Sequence, residues 1–187
     1  ITGKGLNGYN YRKKISIDAK NSGTLARLLP GLLANSPYKI RITGDASLSK
    51  RDFKRIAEPL KKFGVNFKLN NNKGLPLFIQ GSNKLKPINY FENKGSAQCK
   101  SSVILAGLRT KGKTIIKAKK SRNHTELLCK YLKLPIKVIN KKNYDLIEVE
   151  KAKKIKSFNY KIPSDISSSA FFIVLTSLTK DSKLIIK

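Results

Sequence analysis

An internal repeat constrains the possible fold of this chain more than any other feature of its sequence. Residues 105–117 align without a gap with residues 175–187. Residues 60–67 resemble residues 131–138 at nearly the same separation. A period of about 70 residues is too long for a common solenoid repeat. It indicates a supersecondary unit that the chain uses several times.

Hydrophobic periodicity predicts the same order of elements in two successive units. The first unit has expected helices over residues 24–34 and 49–63, with strands over residues 38–43, 65–69 and 75–79. The second has expected helices over residues 97–108 and 124–132, with strands over residues 114–118, 136–140 and 146–149. Because the helices are apolar on broad faces, they belong inside the domain and the sheets outside. The predicted fold class is an inside-out α/β domain of repeated βαβαββ units.

A basic connector marked by proline, residues 151–163, predicts a domain crossover. We expect residues 1–157 to hold the end of one repeat and two full repeats, and residues 158–187 to begin a second domain. Residues 164–169 start another serine-rich helix, and residues 184–187 read as a strand. The chain contains no Met and opens in mid-pattern, so we expect an internal piece of a longer protein.

The net charge of +29 comes from 40 Lys and Arg residues against 11 Asp and Glu residues. Such a charge is compatible with a nucleic-acid or acidic-membrane partner. The lysines are spread along the whole chain, however, and no RNA-binding aromatic signature accompanies them. We therefore favour a site for anionic metabolites and expect neither a nucleic-acid nor a membrane partner. The longest apolar run, residues 170–175, is far too short to span a bilayer.

The cysteines argue against a metal site. Cys99 and Cys129 lack metal-ligand spacing, and the single His124 cannot complete a four-ligand zinc site with them. We expect free thiols, as in a reducing compartment. Cys99 has no evident base nearby, so we expect a packed thiol and not a nucleophile there.

Residues 95–102 (GSAQCKSS) run into an apolar segment and predict a helix start capped by Ser96. The free backbone N–H groups and the positive dipole end of such a helix favour a phosphate or carboxylate in front of it. Residues 21–24 and 164–169 form similar helix starts. The alternative is that Ser96 caps an ordinary amphipathic helix.

Five motifs stand in order along the chain: residues 21–24 (NSGT), 44–51 (GDASLSKR), 95–102 (GSAQCKSS), 121–126 (SRNHTE) and 163–168 (PSDISS). Together they resemble the 5-enolpyruvylshikimate-3-phosphate synthase family (3-phosphoshikimate 1-carboxyvinyltransferase) over essentially the whole chain. The resemblance implies two inside-out α/β domains with the active site between them. It also implies a transferase of the shikimate pathway of aromatic amino-acid biosynthesis.

The implied reaction moves the enolpyruvyl group of phosphoenolpyruvate to the 5-hydroxyl of shikimate 3-phosphate and needs no metal or organic cofactor. We expect the complete protein to be a cytoplasmic monomer that takes these two small-molecule substrates. The acid–base residues of the family are expected beyond Lys187, so the resemblance places no catalytic residue within this chain.

The resemblance also implies a role for individual residues. It assigns shikimate 3-phosphate binding to Ser96, Ala97, Gln98 and Arg122, and phosphoenolpyruvate binding to Gly23, Arg51 and Gln98. On the residues alone, Gly23 could be a simple turn and Arg51 a solvated helix cap.

Two positions depart from the family pattern. Asp52 stands where the family usually has proline, and Leu25 is bulkier than the small residue usual at its position. The first departure bears on the exact pose of the neighbouring Arg51.

Two alternative functions stay open. The sister enolpyruvyl transferase that acts on UDP-N-acetylglucosamine shares the implied fold, but it carries a cysteine near the arginine motif, where residues 46–49 (ASLS) have none. A basic nucleic-acid-binding module is the alternative from a different functional class.

Overall fold

The structure of the chain is a computed structural model that describes residues 2, 5, 6, 8, 14–162 and 164–186. Its helices are α1 (Gly23–Leu32), α2 (Ala46–Ser49), α3 (Lys54–Lys62), α4 (Ala97–Gly107), α5 (His124–Tyr131) and α6 (Ile166–Leu178). Its strands are β1 (Ile15–Asp18), β2 (Lys39–Thr43), β3 (Asn66–Asn70), β4 (Gly74–Gln80), β5 (Asn89–Glu92), β6 (Thr114–Lys119), β7 (Ile136–Asn140) and β8 (Tyr144–Val149). The chain divides into two compact units, Ile1–Lys156 and Ser157–Lys187.

Two four-stranded sheets with the same topology form the first unit. Their strand orders are β1-β2-β4-β3 and β5-β6-β8-β7. In each sheet the first pair is parallel and the other pairs are antiparallel. A parallel pair needs a crossover connection. Helix α1 connects β1 to β2, and α4 connects β5 to β6, so the repeat seen in the sequence is a repeat of the fold.

In the first unit, the connecting helices α1 and α4 pack together inside, and the sheets each turn one face to the core. In β2, Ile40 and Ile42 are buried whereas Lys39 and Arg41 are exposed, as expected when one face of a sheet meets the core. Helix α4 is buried on nearly all sides, including its polar residue Ser102. The predicted inside-out α/β fold class is confirmed.

Helices α1 and α4 pack closely and run in the same direction. Arg27 bonds to Gln98, and one turn further along each helix, Gly31 lies against Ser102. A Cβ atom at residue 31 would clash with the backbone carbonyl of Ser102. The missing side chain of Gly31 therefore allows the two helices to approach, and their N-terminal ends lie at the same end of the pair.

One predicted helix is wrong in its extent. Of residues 49–63, only Lys54–Lys62 form α3, whereas Ser49 is the last residue of the separate helix α2, because the backbone between the two helices bonds elsewhere. The Asp52 carboxylate accepts the Lys54 N–H at 2.7 Å, and the Phe53 N–H donates to the Lys73 carbonyl at 2.9 Å. Short polar side chains such as Asp compete with helical hydrogen bonding in this way.

Other differences lie at the ends of the repeats. The short strands β1 and β5 have no counterpart among the predicted strands, and residues 184–186 form no strand. The expected end of an earlier repeat, before Lys14, lies largely outside the described residues, as does Pro163 of the expected crossover. No helix in the described ranges is both long and apolar enough to cross a membrane.

The close approach of α1 and α4 predicts an effect of Gly31→Ala on stability. The added methyl group must push α1 away from Ser102, and overpacking of this kind costs about 1–3 kcal/mol of unfolding free energy. Denaturant unfolding followed by circular dichroism measures the loss.

Gly107→Ala in α4 is the matched control, because its Cβ would meet only side-chain atoms of Val149 and Thr114, at 3.1 Å or more. These distances are much longer than the one that would separate a Cβ at residue 31 from the Ser102 carbonyl, so the control should lose less stability. Equal stability of the two variants would contradict the proposed contact.

Candidate functional site

The start of α4 has the geometry of a capped helix N-terminus. Gly95 has a φ of +69°, a backbone conformation that glycine adopts without strain. Ser96 is extended, and its Oγ accepts the Cys99 N–H at 3.3 Å. The N–H groups of Ala97 and Gln98 have no acceptor within the helix, as in any first turn. The predicted Ser96 cap is confirmed, with two N–H groups left for other acceptors.

The start of α1 repeats this arrangement. Ser22 is extended, and its Oγ accepts the Leu25 N–H at 3.1 Å. Gly23 and Thr24 occupy the first turn, Gly23 buried and Thr24 exposed. The two helix starts that the sequence analysis singled out therefore share the same local geometry.

The Gln98 side chain joins the two helix starts. Its Oε1 accepts a hydrogen bond from Arg27 Nη1 at 3.0 Å, and its Nε2 donates to Thr24 Oγ1 at 3.0 Å. These two bonds determine which way the amide faces. One side chain of α4 is thus held by two side chains of α1.

Residues 44–51 contact residues 21–24 through the Asp45 carboxylate. Asp45 caps α2, since its Oδ1 accepts the Leu48 N–H at 2.7 Å, and its Oδ2 accepts from Asn21 Nδ2 at 2.5 Å. The Leu48 N–H holds the pKa of Asp45 below its usual value, and the Asn21 amide lowers it further. The Asp45 carboxylate therefore stays charged and connects the loop before α1 to α2.

Gly23 lies beneath two guanidinium groups. A Cβ atom at residue 23 would lie 2.7 Å from Arg27 Nη1 and 3.3 Å from Arg51 Nη1. The space above Gly23 is therefore bounded by two cations and by the first turn of α1. Such a space suits a planar or tetrahedral anion.

Three arginines concentrate positive charge at this place. Burial lowers the pKa of Arg27, and repulsion from the charges of Arg51 and Arg55 lowers it further. The Arg27 guanidinium also lies over the Phe53 ring, 5.2 Å from its centroid, a cation–π contact. The Arg27 and Arg51 guanidinium groups near Gly23 give this place a positive charge, which attracts anionic ligands.

Arg122 is exposed in the loop between β6 and α5. None of the contacts that join Gly23, Arg51 and Gln98 in the described part of the chain reaches it. Its loop passes close to the start of α4, because the Lys120 carbonyl would lie 3.4 Å from a Cβ at Gly95. The neighbouring Ser121 hydroxyl is buried and has no hydrogen-bond partner among the described residues.

Contacts between α4 and α5 hold that loop. Lys100 Nζ lies 2.6 Å from Glu126 Oε1, with both side chains buried, and Ser101 Oγ lies 2.7 Å from Thr125 Oγ1. A buried ion pair is costly to break from one side only, since the remaining charge would be unpaired. The start of α5 is therefore anchored to the helix that carries Gln98.

Several residues of the site were missed by sequence reasoning. Thr24 stood in a motif without an assigned role, and Arg27 could have been found from its position four residues after Gly23, on the same helix face. Glu92, which accepts the Ser96 N–H at 2.9 Å, follows no recognisable signal. No group of three or more His, Cys, Asp or Glu side chains that could hold a metal occurs within the described residues.

Comparison with known proteins identifies the family of this geometry. The family model described as EPSP synthase (3-phosphoshikimate 1-carboxyvinyltransferase) matches residues 1–187. The chain belongs to the EPSP synthase family. The resemblance stated from the five motifs is thereby confirmed.

Individual members of the EPSP synthase family agree with this. Proteins named 3-phosphoshikimate 1-carboxyvinyltransferase include one from Caldicellulosiruptor bescii, 44% identical over 91% of this chain, and one from Leuconostoc mesenteroides subsp. mesenteroides, 40% identical over the whole chain. The structure of EPSP synthase from Acinetobacter baumannii superposes with a TM-score of 0.74 at 38% identity and covers 87% of this chain.

The chain spans only part of these family members. It covers 40% of the C. bescii protein, 42% of the L. mesenteroides protein and 36% of the A. baumannii chain.

The thiol of Cys99 lies close to the Ser96 cap but is not activated. Burial raises the pKa of Cys99, and burial raises the pKa of Cys129 to about 11. Both thiols are free and buried. This agrees with the prediction of a packed thiol at residue 99.

We therefore expect both native cysteines to resist thiol reagents at pH 8, since the thiolate is the reactive form. Dithionitrobenzoate should modify the folded chain at least about tenfold more slowly than a small free thiol. The same chain in denaturant is the control and should release two equivalents, one for each cysteine. A rapid equivalent from folded protein would show that a thiol is exposed or activated.

Proposed function

We propose that the complete protein carrying this chain transfers the enolpyruvyl group of phosphoenolpyruvate to the 5-hydroxyl of shikimate 3-phosphate. The proposal depends above all on the family match over residues 1–187. The position of Gly23 and Gln98 at two adjacent helix starts, with the Arg51 guanidinium close to Gly23, supports it, since both substrates carry phosphate and carboxylate groups. In the net reaction, the 5-hydroxyl oxygen replaces the phosphate oxygen on the enolpyruvyl carbon, and the hydroxyl proton is passed on as phosphate leaves.

Gly23, Arg51 and Gln98 are proposed to bind phosphoenolpyruvate. The absent side chain at Gly23 leaves room for the ligand below the Arg51 guanidinium, which lies 3.3 Å from the Cβ position. A guanidinium can donate two parallel hydrogen bonds to one phosphate or carboxylate. Gln98 is held by Arg27 and Thr24, so its amide is presented in one orientation.

Ser96, Ala97, Gln98 and Arg122 are proposed to bind shikimate 3-phosphate. The hydroxyl of Ser96 accepts the Cys99 N–H and can still donate its own proton to a phosphate oxygen. The first-turn N–H groups of α4 add uncompensated donors. The buried, unpartnered Ser121 hydroxyl beside Arg122 supports a further phosphate contact there.

This chain contributes binding and orientation to the proposed reaction. Holding two anionic reactants side by side lowers the entropic part of the barrier. The groups that move protons are proposed to come from outside residues 1–187, as the family resemblance implies.

The proposal extends to the state of the protein. We propose that the complete protein acts as a monomer in the cytoplasm, and the two buried free thiols agree with a reducing compartment. The described site favours neither of the alternative functions, a UDP-N-acetylglucosamine enolpyruvyl transferase or a nucleic-acid-binding module.

We expect residues 1–187 alone to show no transferase activity, because catalysis requires groups on both sides of the reacting centre. A phosphate-release assay with both substrates should give the rate of a heat-denatured control. The complete protein, assayed in parallel, should release phosphate only when both substrates are present. Turnover by the isolated chain would show that it carries the essential proton-transfer groups itself.

Arg51→Lys in the complete protein separates charge from geometry. Lysine keeps the positive charge but loses the two-pronged donor, and losing one charge-assisted hydrogen bond costs about 1.5–3 kcal/mol. We expect kcat/KM for phosphoenolpyruvate to fall on the order of 10- to 100-fold. The affinity for shikimate 3-phosphate in the binary complex should change much less, as calorimetry can measure.

Arg41→Lys is the matched control, because Arg41 lies exposed on β2 and takes no part in the site. Arg41→Lys should leave both kcat/KM for phosphoenolpyruvate and the affinity for shikimate 3-phosphate unchanged. Equal losses for the two substrates in Arg51→Lys would mean that Arg51 supports the fold. No loss would mean that Arg51 does not contact phosphoenolpyruvate.

A further inference from the structure

Glu92 is a buried carboxylate at the end of β5, immediately before the loop that leads to α4. It is 2% exposed, and both of its oxygens are used. Oε2 accepts the Ser96 N–H at 2.9 Å, whereas Oε1 accepts the Lys94 N–H at 3.3 Å and a hydrogen bond from Arg55 Nη2 at 3.0 Å. A buried carboxylate is tolerated only when it is paired and hydrogen-bonded in this way. Glu92 thus connects a strand, a loop and α3.

The first repeat contains the equivalent residue, Asp18, which allows a comparison within one chain. Asp18 ends β1 and stands four residues before the cap Ser22, as Glu92 stands four residues before Ser96. The Asp18 carboxylate likewise accepts the N–H two residues later, from Lys20 at 2.9 Å. The next contact differs, because the Ser22 N–H donates to the Ala19 carbonyl at 2.8 Å and not to the carboxylate.

The longer side chain of Glu92 explains this difference. Its extra methylene group lets the carboxylate reach the Ser96 N–H, which the shorter Asp18 side chain does not do at Ser22. Asp18 is also half exposed, with a side-chain exposure of 49%, whereas Glu92 is enclosed. The second repeat has therefore added a buried acceptor that holds the cap residue of α4.

Arg55 compensates the negative charge of the Glu92 carboxylate. A carboxylate beside a site for phosphate would repel the ligand unless its charge were neutralised. Arg55 pairs with it, and Arg55 lies on α3, four residues after Arg51. The ion pair therefore ties the segment that carries Arg51 to the cap residue Ser96.

We propose that Glu92 is a positioning residue: it orients Ser96 for the phosphate of shikimate 3-phosphate and, through Arg55, keeps that cap in register with Arg51. The inference rests on the proposed function, because it names the substrate group that the positioned residue meets. Glu92 itself does not touch the substrate. Its effect is carried by the Ser96 N–H and by the Arg55 guanidinium.

The test compares Glu92→Asp, Glu92→Gln and Asp18→Asn in the complete protein. Glu92→Asp keeps the charge but shortens the side chain to that of the first repeat. Glu92→Gln keeps the length but places an NH₂ group against a donor. Asp18→Asn is the matched control, at the equivalent position of the other repeat. The measurements are the calorimetric Kd of the binary complex with shikimate 3-phosphate, the KM for each substrate and the thermal midpoint.

We expect both Glu92 variants to raise the Kd for shikimate 3-phosphate about tenfold, as the loss of one charge-assisted hydrogen bond would. The KM for phosphoenolpyruvate should change by less than about threefold, since Arg51 and Gly23 keep their own contacts. Asp18→Asn should leave both constants unchanged. A merely structural Glu92 would lower the thermal midpoint without separating the two substrates.

Each other outcome has a definite meaning. Folded Glu92 variants with the wild-type Kd overturn the inference, as do equal losses for the two substrates or an equal loss in Asp18→Asn. If the Glu92 variants do not fold, Arg55→Met decides, because it leaves the Glu92 side chain intact but removes its charge partner from an exposed helix position. An unchanged Kd in Arg55→Met then overturns the inference. An inactive wild-type protein overturns the proposed function and, with it, the inference. Active Glu92 variants whose Kd for shikimate 3-phosphate matches that of the wild type overturn the inference alone, so the two failures can be distinguished.

Discussion

The parallel packing of α1 and α4 is the interaction on which the rest of the site depends. The contacts Arg27–Gln98 and Gly31–Ser102 advance by four residues along each helix, so the helices run side by side in one direction. Parallel helices bring their positive dipole ends together, which is unfavourable without a counter-charge. The same arrangement collects unpaired N–H groups from two first turns at one place. A bound anion compensates the two positive dipole ends and also accepts hydrogen bonds from the unpaired N–H groups. This is the physical reason to connect this helix packing with an anionic ligand.

The two repeats share a topology but contribute different groups to the site. The first repeat supplies the small residue Gly23 and, after α2, the guanidinium of Arg51. The second supplies the cap residue Ser96 and the bridging amide of Gln98. In each repeat, a serine-capped helix follows the first strand of the sheet. Packing the two repeats against each other therefore brings the two helix starts side by side. Local changes of sequence within each repeat are then enough for the two repeats to supply different groups to the site.

Carboxylates are scarce in this chain, and several of them hold the architecture. Against 40 basic residues there are 11 acidic ones. Glu126 pairs with Lys100 inside the domain, Glu92 pairs with Arg55, and Asp45 caps α2. Glu92 and Glu126 are buried, and buried charges must be paired, whereas Asp45 is exposed and serves as a helix cap. The excess of lysine faces outward, where the charge costs little.

Features that depend only on neighbouring residues could be predicted from the sequence. The serine caps at Ser22 and Ser96 bond only three residues ahead, and the hairpins and helix faces follow from short-range periodicity, so the repeat and the fold class could be predicted. The expected helix over residues 49–63 failed at Asp52 and Phe53, because the Phe53 N–H donates to the Lys73 carbonyl, 20 residues away in the turn between β3 and β4. Which helix starts meet depends on tertiary packing and could not be predicted. Gln98 and Arg27 stand 71 residues apart, and Glu92 and Arg55 stand 37 apart. Sequence periodicity reports which face of an element is buried, whereas pairing between distant polar side chains depends on how the two repeats pack.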